Sequence, residues 1–119
     1  MNELDLMQEL TAKAEQGDLE ACYELGWRQA LGNGLPENEP EAVRWLTVAA
    51  RKGHLLAQNN LGARYVSGEG VPKDLIEAYR WFQLAAEQGD RKAGKNRDSI
   101  AVQMSAEQIA EALQRASQT

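Results

Sequence analysis

The chain has 119 residues, 43% hydrophobic and 26% charged, the size and composition of one ordered domain rather than a disordered segment. Its formal net charge of −5 disfavours nucleic acid and anionic membrane as partners, because both require a concentrated basic surface, and no stretch reaches the length of a membrane span. The single Cys22 cannot form an internal disulfide, and no Cys/His cluster exists for zinc.

Met1 to Asp5 carries neither a basic region nor an apolar run, so no signal peptide is expected and a cytoplasmic setting is. Residues 3 to 16 then place Leu4, Met7, Leu10 and Ala14 at helical spacing, and Gly17 stops that helix. From residue 18 the chain repeats itself at an offset of 36. Ala21, Leu25, Gly26, Arg28, Gly32, Gly34 and Pro36 recur as Ala57, Leu61, Gly62, Arg64, Gly68, Gly70 and Pro72. Glu41, Ala42, Arg44, Trp45, Ala49, Ala50 and Gly53 recur as Glu77, Ala78, Arg80, Trp81, Ala85, Ala86 and Gly89.

Each unit reads as helix, glycine loop, helix. In the second, Ala57, Leu61 and Tyr65 share one helical face, and Gly68 to Pro72 breaks the helix because glycine admits positive φ and proline cannot continue it. At least one glycine of each loop is expected at positive φ. Asp74 and Glu77 give a capping-box signal, as do Asn38 and Glu41 in the first unit. Ile76, Ala78, Trp81, Phe82 and Ala85 form the stripe of the next helix, which Gly89 ends. Trp45 and Trp81 are read as core, with Arg44 and Arg80 pointing away to solvent or to Glu41 and Glu77. After Ala93 the pattern changes: Arg97-Asp98 replaces Leu-Gly, and Ser105 with Gln108 caps a last helix. Ile100, Met104, Ile109, Leu113 and Ala116 are expected to cover the end of the array, because a terminal repeat lacks a neighbour on one side.

The predicted architecture is all-α: about seven helices in antiparallel pairs forming a short right-handed superhelix. It divides into an N-terminal half-repeat (3–17), two full repeats (18–53 and 54–89) and a C-terminal capping helix pair (90–119). The pattern Ala-x3-Leu-Gly-x5-Gly-x-Gly-(Leu/Val)-Pro, followed by Glu-Ala-x2-Trp-x3-Ala-Ala-x2-Gly, resembles the Sel1-like repeat, a relative of the tetratricopeptide repeat. The resemblance covers roughly residues 6 to 117 and departs from the pattern at Gln29, which stands where the second unit has Tyr65, and at Arg97-Asp98. It implies a scaffold or adaptor that binds other proteins. A cysteine-rich branch of the family is linked to β-lactams, but the paired cysteines of that branch are missing here, so that activity is not carried over.

Catalysis is not expected, and neither is a cofactor. His54 occupies the place of Asp18 and Asp90 and reads as a solvated turn or helix-start residue. One His and one Cys do not make a nucleophile–base arrangement. Glu37 and Glu39 read as surface carboxylates. Gly32-Asn33-Gly34 and Gly68-Glu69-Gly70 lack the Lys-Ser/Thr and strand context of a phosphate loop.

In tetratricopeptide-like stacking the first helix of each pair lines the concave side, so a partner is expected on first-helix positions that the repeat does not need. These are Tyr23, Trp27 and Leu31 in the first unit, Asn59, Ala63 and Ser67 in the second, and Lys95 in the cap. Glu20, Ala30, Leu56, Val66, Lys92, Ser99, Val102 and Gln103 lie on the same stripe. Tyr23 and Trp27 are four apart and carry the aromatic character of interface hot spots. Trp27 either lines the groove or packs under the half-repeat against Leu6 or Leu10. Asn59 has the form of a peptide clamp, able to bond both N–H and C=O of an extended backbone. The expected partner is a protein or peptide, with the chain a monomer capable of weak self-association. The alternative function is an inhibitor or immunity protein that blocks a secreted toxin or enzyme.

Overall fold

The computed structural model describes residues 2–32 and 38–119. The first-loop residues Asn33, Gly34, Leu35, Pro36 and Glu37 lie outside the described residues, so the expectations placed on Gly34, Pro36 and Glu37 go no further. Among the described residues there are seven helices and no strand: α1 (Glu3–Glu15), α2 (Leu19–Leu31), α3 (Glu39–Arg51), α4 (Leu55–Ser67), α5 (Leu75–Glu87), α6 (Arg91–Ala101) and α7 (Ala106–Ser117). They pack in sequential order, each against the next, except that α7 lies against α5. The result is elongated, 51 × 23 × 21 Å, as an array held by neighbour contacts should be.

Each helix start has a side-chain cap. Asn2, Asp18, Asn38, His54, Asp74, Asp90 and Ser105 each accept a backbone N–H from the first turn, satisfying donors that the helix cannot. Ser105 and Gln108 complete a reciprocal capping box. Asn38/Glu41 and Asp74/Glu77 form only its first half. The glutamates turn to arginine instead: Glu41 accepts from Arg44 Nε at 3.0 Å, and Glu77 from Arg80 at 3.0 Å. Those guanidinium groups also lie over the next residue's indole, Arg44 over Trp45 and Arg80 over Trp81, each 4.5 Å from the ring centre. The arginines are therefore not simply solvated. The Arg80 side chain is only 15% exposed and also donates to Thr119 Oγ1 at the end of α7.

The core runs the length of the array in two clusters. One joins Cys22, Leu25, Leu46, Leu61, Trp45 and Trp81; the other joins Phe82, Ala85, Ala93, Ile100 and Ala112. Complete burial of a leucine or larger side chain contributes roughly 1.5–3 kcal/mol, so these few residues carry much of the fold. The close approach of first and second helices depends on two glycines. A Cβ at Gly26 would stand 2.8 Å from Leu46, and one at Gly62 only 2.6 Å from the Phe82 ring. The expected cap at the C-terminal end is present, with one correction. Ile109, Ala112 and Ala116 face inward, leaving Leu113 at the rim and 42% exposed.

Positive φ is found at Gly32 (69°) and at Gly68 and Gly70 (78° and 77°). Gly70 is doubly constrained, because a Cβ there would come within 2.8 Å of the Glu39 carbonyl oxygen and 2.9 Å of Val43. The second loop thus rests on the start of α3. Arg64, from α4, reinforces that contact by pairing with Glu39.

Candidate functional site

Large apolar side chains are mostly inside, so those left outside are informative. Among the described residues of α2 to α6 and their caps, the exposed large apolar side chains are Leu31 (71%), Leu56 (55%) and Val102 (84%). All three fall on the first-helix stripe, whereas α3 and α5 leave none exposed. Ala63, Ser67, Lys95 and Ser99 are exposed beside them. Ala30 departs from the stripe and is buried at 8%.

Between α4 and α6 the stripe deepens into a cleft of about 280 Å³. Ala63 and Val66 form one wall, Asn96 and Ser99 the other, and Phe82 and Ile100 the apolar floor. A shallower depression of about 250 Å³ continues over Asn60, Ala63, Arg64, Ser67 and Glu69. The structure therefore brings Ala63 and Ser67 into one surface, with Lys95 one helical turn from Ser99. Sequence reasoning missed Asn96, and missed that Phe82 serves as floor as well as core. The available signal was the helical spacing of Asn96 and Ser99 from Lys92.

Tyr23 and Asn59 each have a partner within the molecule. Tyr23 is half-buried and stacks on His54, with ring centres 4.7 Å apart and planes at 23°. His54 corrects its reading as a solvated residue. Its ring is buried, Nδ1 accepts the Ala57 N–H at 3.2 Å, and Nε2 meets Glu20 Oε1 at 3.0 Å. Because Nδ1 serves as the cap's acceptor, the proton belongs on Nε2, where it is donated to Glu20.

Thirty-six residues on, Asn59 takes the place of Tyr23 and Asp90 that of His54, and the pair is again in contact. Asn59 Nδ2 donates to Asp90 Oδ2 at 2.5 Å. The clamp proposed for Asn59 is thus half engaged. Its remaining Oδ1 is buried and has no partner among the described residues. Trp27 is half-buried, lies outside both core clusters, and has Arg28 5.0 Å over its ring. Leu10 packs against the first cluster.

Chemistry is sparse. Among the described residues no group of three His, Cys, Asp or Glu side chains could hold a metal. Cys22 is buried, and burial pushes its thiol above the usual range, away from the thiolate a nucleophile needs. Its Sγ donates to the Ala14 carbonyl at 3.4 Å. Among the described residues no helix is long and apolar enough to cross a membrane.

Tandem helix pairs, glycine-mediated helix approach and an unpartnered first-helix face define an α-helical repeat protein. The Sel1 repeat family model matches residues 19–54 and 55–90, and the chain belongs to that family. Among solved structures it is similar to c5321, a protective antigen of uropathogenic Escherichia coli strains with an SLR fold (32% identity, TM-score 0.76), covering 92% of this chain and 25% of that one. It is also similar to a Sel1 repeat protein from Oxalobacter formigenes (34%, TM-score 0.75), covering 79% of this chain and 27% of that one. Helicobacter pylori cysteine rich protein B shares the fold at 23% identity and TM-score 0.74, over 80% of this chain and 71% of that one. The chain thus spans about a quarter of the length of the first two. No curated protein matches. Sel1 repeat proteins are generally interaction scaffolds.

Proposed function

We propose that this protein is a non-catalytic scaffold that holds a protein or peptide partner on the face formed by α2, α4 and α6. One observation carries the reading. The apolar side chains that the internal helices leave exposed, Leu31, Leu56 and Val102, share the face that contains the Phe82-floored cleft. An apolar patch rimmed by polar residues is the usual mark of an interaction site. Trp27 belongs to the same surface as an amphipathic anchor, its half-buried ring held by Arg28.

The test is site-specific photocrosslinking in the native cell. A crosslinker at Ser67 or Lys95 should trap a discrete partner, while one at Arg51 or Glu87, exposed on the second helices, should not. Trapping from the second-helix positions alone would overturn the assignment. A cytoplasmic setting belongs to the same proposal, supported by the single unpaired thiol. Cell fractionation tests it, and recovery outside the cytoplasm would refute it.

A further inference from the structure

The inference deepens the reading above and rests on it. In a chain of net charge −5, α6 carries Arg91, Lys92, Lys95 and Arg97 against a single acid, Asp98. Arg97 is engaged, donating to Asp98 at 3.0 Å and to Gln83 at 2.9 Å. Arg91, Lys92 and Lys95 are exposed, and among the described residues none has a carboxylate within 4 Å. Lys92, Lys95, Asn96 and Ser99 follow the i, i+3, i+4, i+7 spacing of one helical face. Asn96 and Ser99 are a wall of the cleft, so Lys92 and Lys95 share the helical face of that wall.

The equivalent places on the other first helices offer no such charge. Lys92 corresponds to Leu56 and to Glu20, which is bound to His54. Lys95 corresponds to Asn59, bound to Asp90, and to Tyr23, stacked on His54. Of the acids beside these lysines, Asp98 is bound to Arg97, and Asp90 is committed to capping α6 and to Asn59.

We infer that the α4–α6 cleft takes an acidic peptide segment. One apolar side chain sits among Ala63, Val66, Phe82 and Ile100, and Asp or Glu side chains within about one turn of it meet Lys92 and Lys95. Repulsion from the acidic remainder of the molecule directs such a segment to this end of the face.

A phage-displayed random peptide library panned against the full chain tests this. The expected result is enrichment of sequences with Asp or Glu next to a large apolar residue. A synthetic copy of an enriched peptide should bind about tenfold more weakly to the Lys92→Glu/Lys95→Glu variant, and more weakly still as salt rises. Ala63→Trp, which fills the cleft from an exposed position, should abolish binding. Both variants are first matched to the parent by circular dichroism and thermal melting. Peptides without acids, blocked by Ala63→Trp but indifferent to the charge reversals, overturn the acidic assignment and leave the groove standing. Peptides indifferent to Ala63→Trp overturn the groove itself, and absence of enrichment overturns both. Equal retention of single-stranded RNA through Lys92 and Lys95 also overturns the inference.

Discussion

Where α2 meets α1, the Cys22 thiol donates to the Ala14 carbonyl at 3.4 Å; 36 residues later, where α4 meets α3, the Gln58 amide donates to the Ala50 carbonyl at 3.1 Å. The equivalent place on α6 is Gly94, beside Ala86, with no side chain at all. The joints between first helices vary in the same way. Tyr23 stacks on His54 in one, and Asn59 bonds Asp90 in the next. Repeat identity therefore preserves geometry rather than chemistry. Where a joint does place a side chain against a last-turn carbonyl or a helix cap, groups of different chemistry but suitable reach serve. Differences between repeats are consequently of two kinds. Some are matched substitutions within a joint, and others, such as Ala63 and Ser99, lie on the open face.

The largest expected effect breaks the helix pair of the second unit. Gly62→Val sets a branched side chain against the Phe82 ring and should lower stability by about 3 kcal/mol, the upper range for overpacking. Gly26→Val meets the more adaptable Leu46 and should lose less; urea unfolding of both variants measures the difference. Gly70→Val should cost about 2 kcal/mol or more, since it meets both a positive φ and the Glu39 carbonyl. An unchanged unfolding midpoint would show that the loop does not rest on α3.

The joints are tested by exchange. Tyr23→Asn and His54→Asp, introduced singly, should each destabilise by about 1 kcal/mol, and together by less than their sum. A coupling of about 0.5–1.5 kcal/mol in this double-mutant cycle would confirm that the pair acts as one unit. Strict additivity would mean that Tyr23 belongs to the open face after all. Gly94→Ala works in the other direction. Its Cβ finds its nearest neighbours at 3.8 and 3.9 Å, so the variant should gain about 0.5–1 kcal/mol from helix propensity alone, visible as a higher melting temperature.

The smallest effect is electrostatic. The hydrogen bond from Arg44 holds the Glu41 carboxyl below the usual glutamate range. A depressed folded-state value gives stability that is present above the ordinary glutamate pKa and lost as pH falls through the folded one. The pair is substantially exposed, so about 0.3–0.5 kcal/mol is expected. Glu41→Gln should differ from the parent by that amount at neutral pH and converge with it in acid.

Much of this molecule was legible in its sequence. The repeat spacing, the loop glycines and the apolar stripes give the helices and their order, because local backbone preference and hydrophobic period depend on neighbours in the chain. The open face was also legible in outline, since Leu31, Leu56, Ala63 and Lys95 are residues the repeat does not require. What only the tertiary structure decided is which of the non-repeated residues are free. Tyr23, His54, Asn59 and Asp90 read as two exposed groups and two helix starts until the array brings Tyr23 within stacking distance of His54, 31 positions away, and Asn59 onto Asp90 at the same separation. Likewise Phe82 becomes the floor of a cleft only because the fold brings Ala63 and Val66 of α4 and Asn96 and Ser99 of α6 to either side of it. Periodicity reports which side of a helix is buried. Whether a polar side chain on the other side meets water or a neighbouring helix depends on contacts between segments far apart in the chain, and local spacing does not encode those distances.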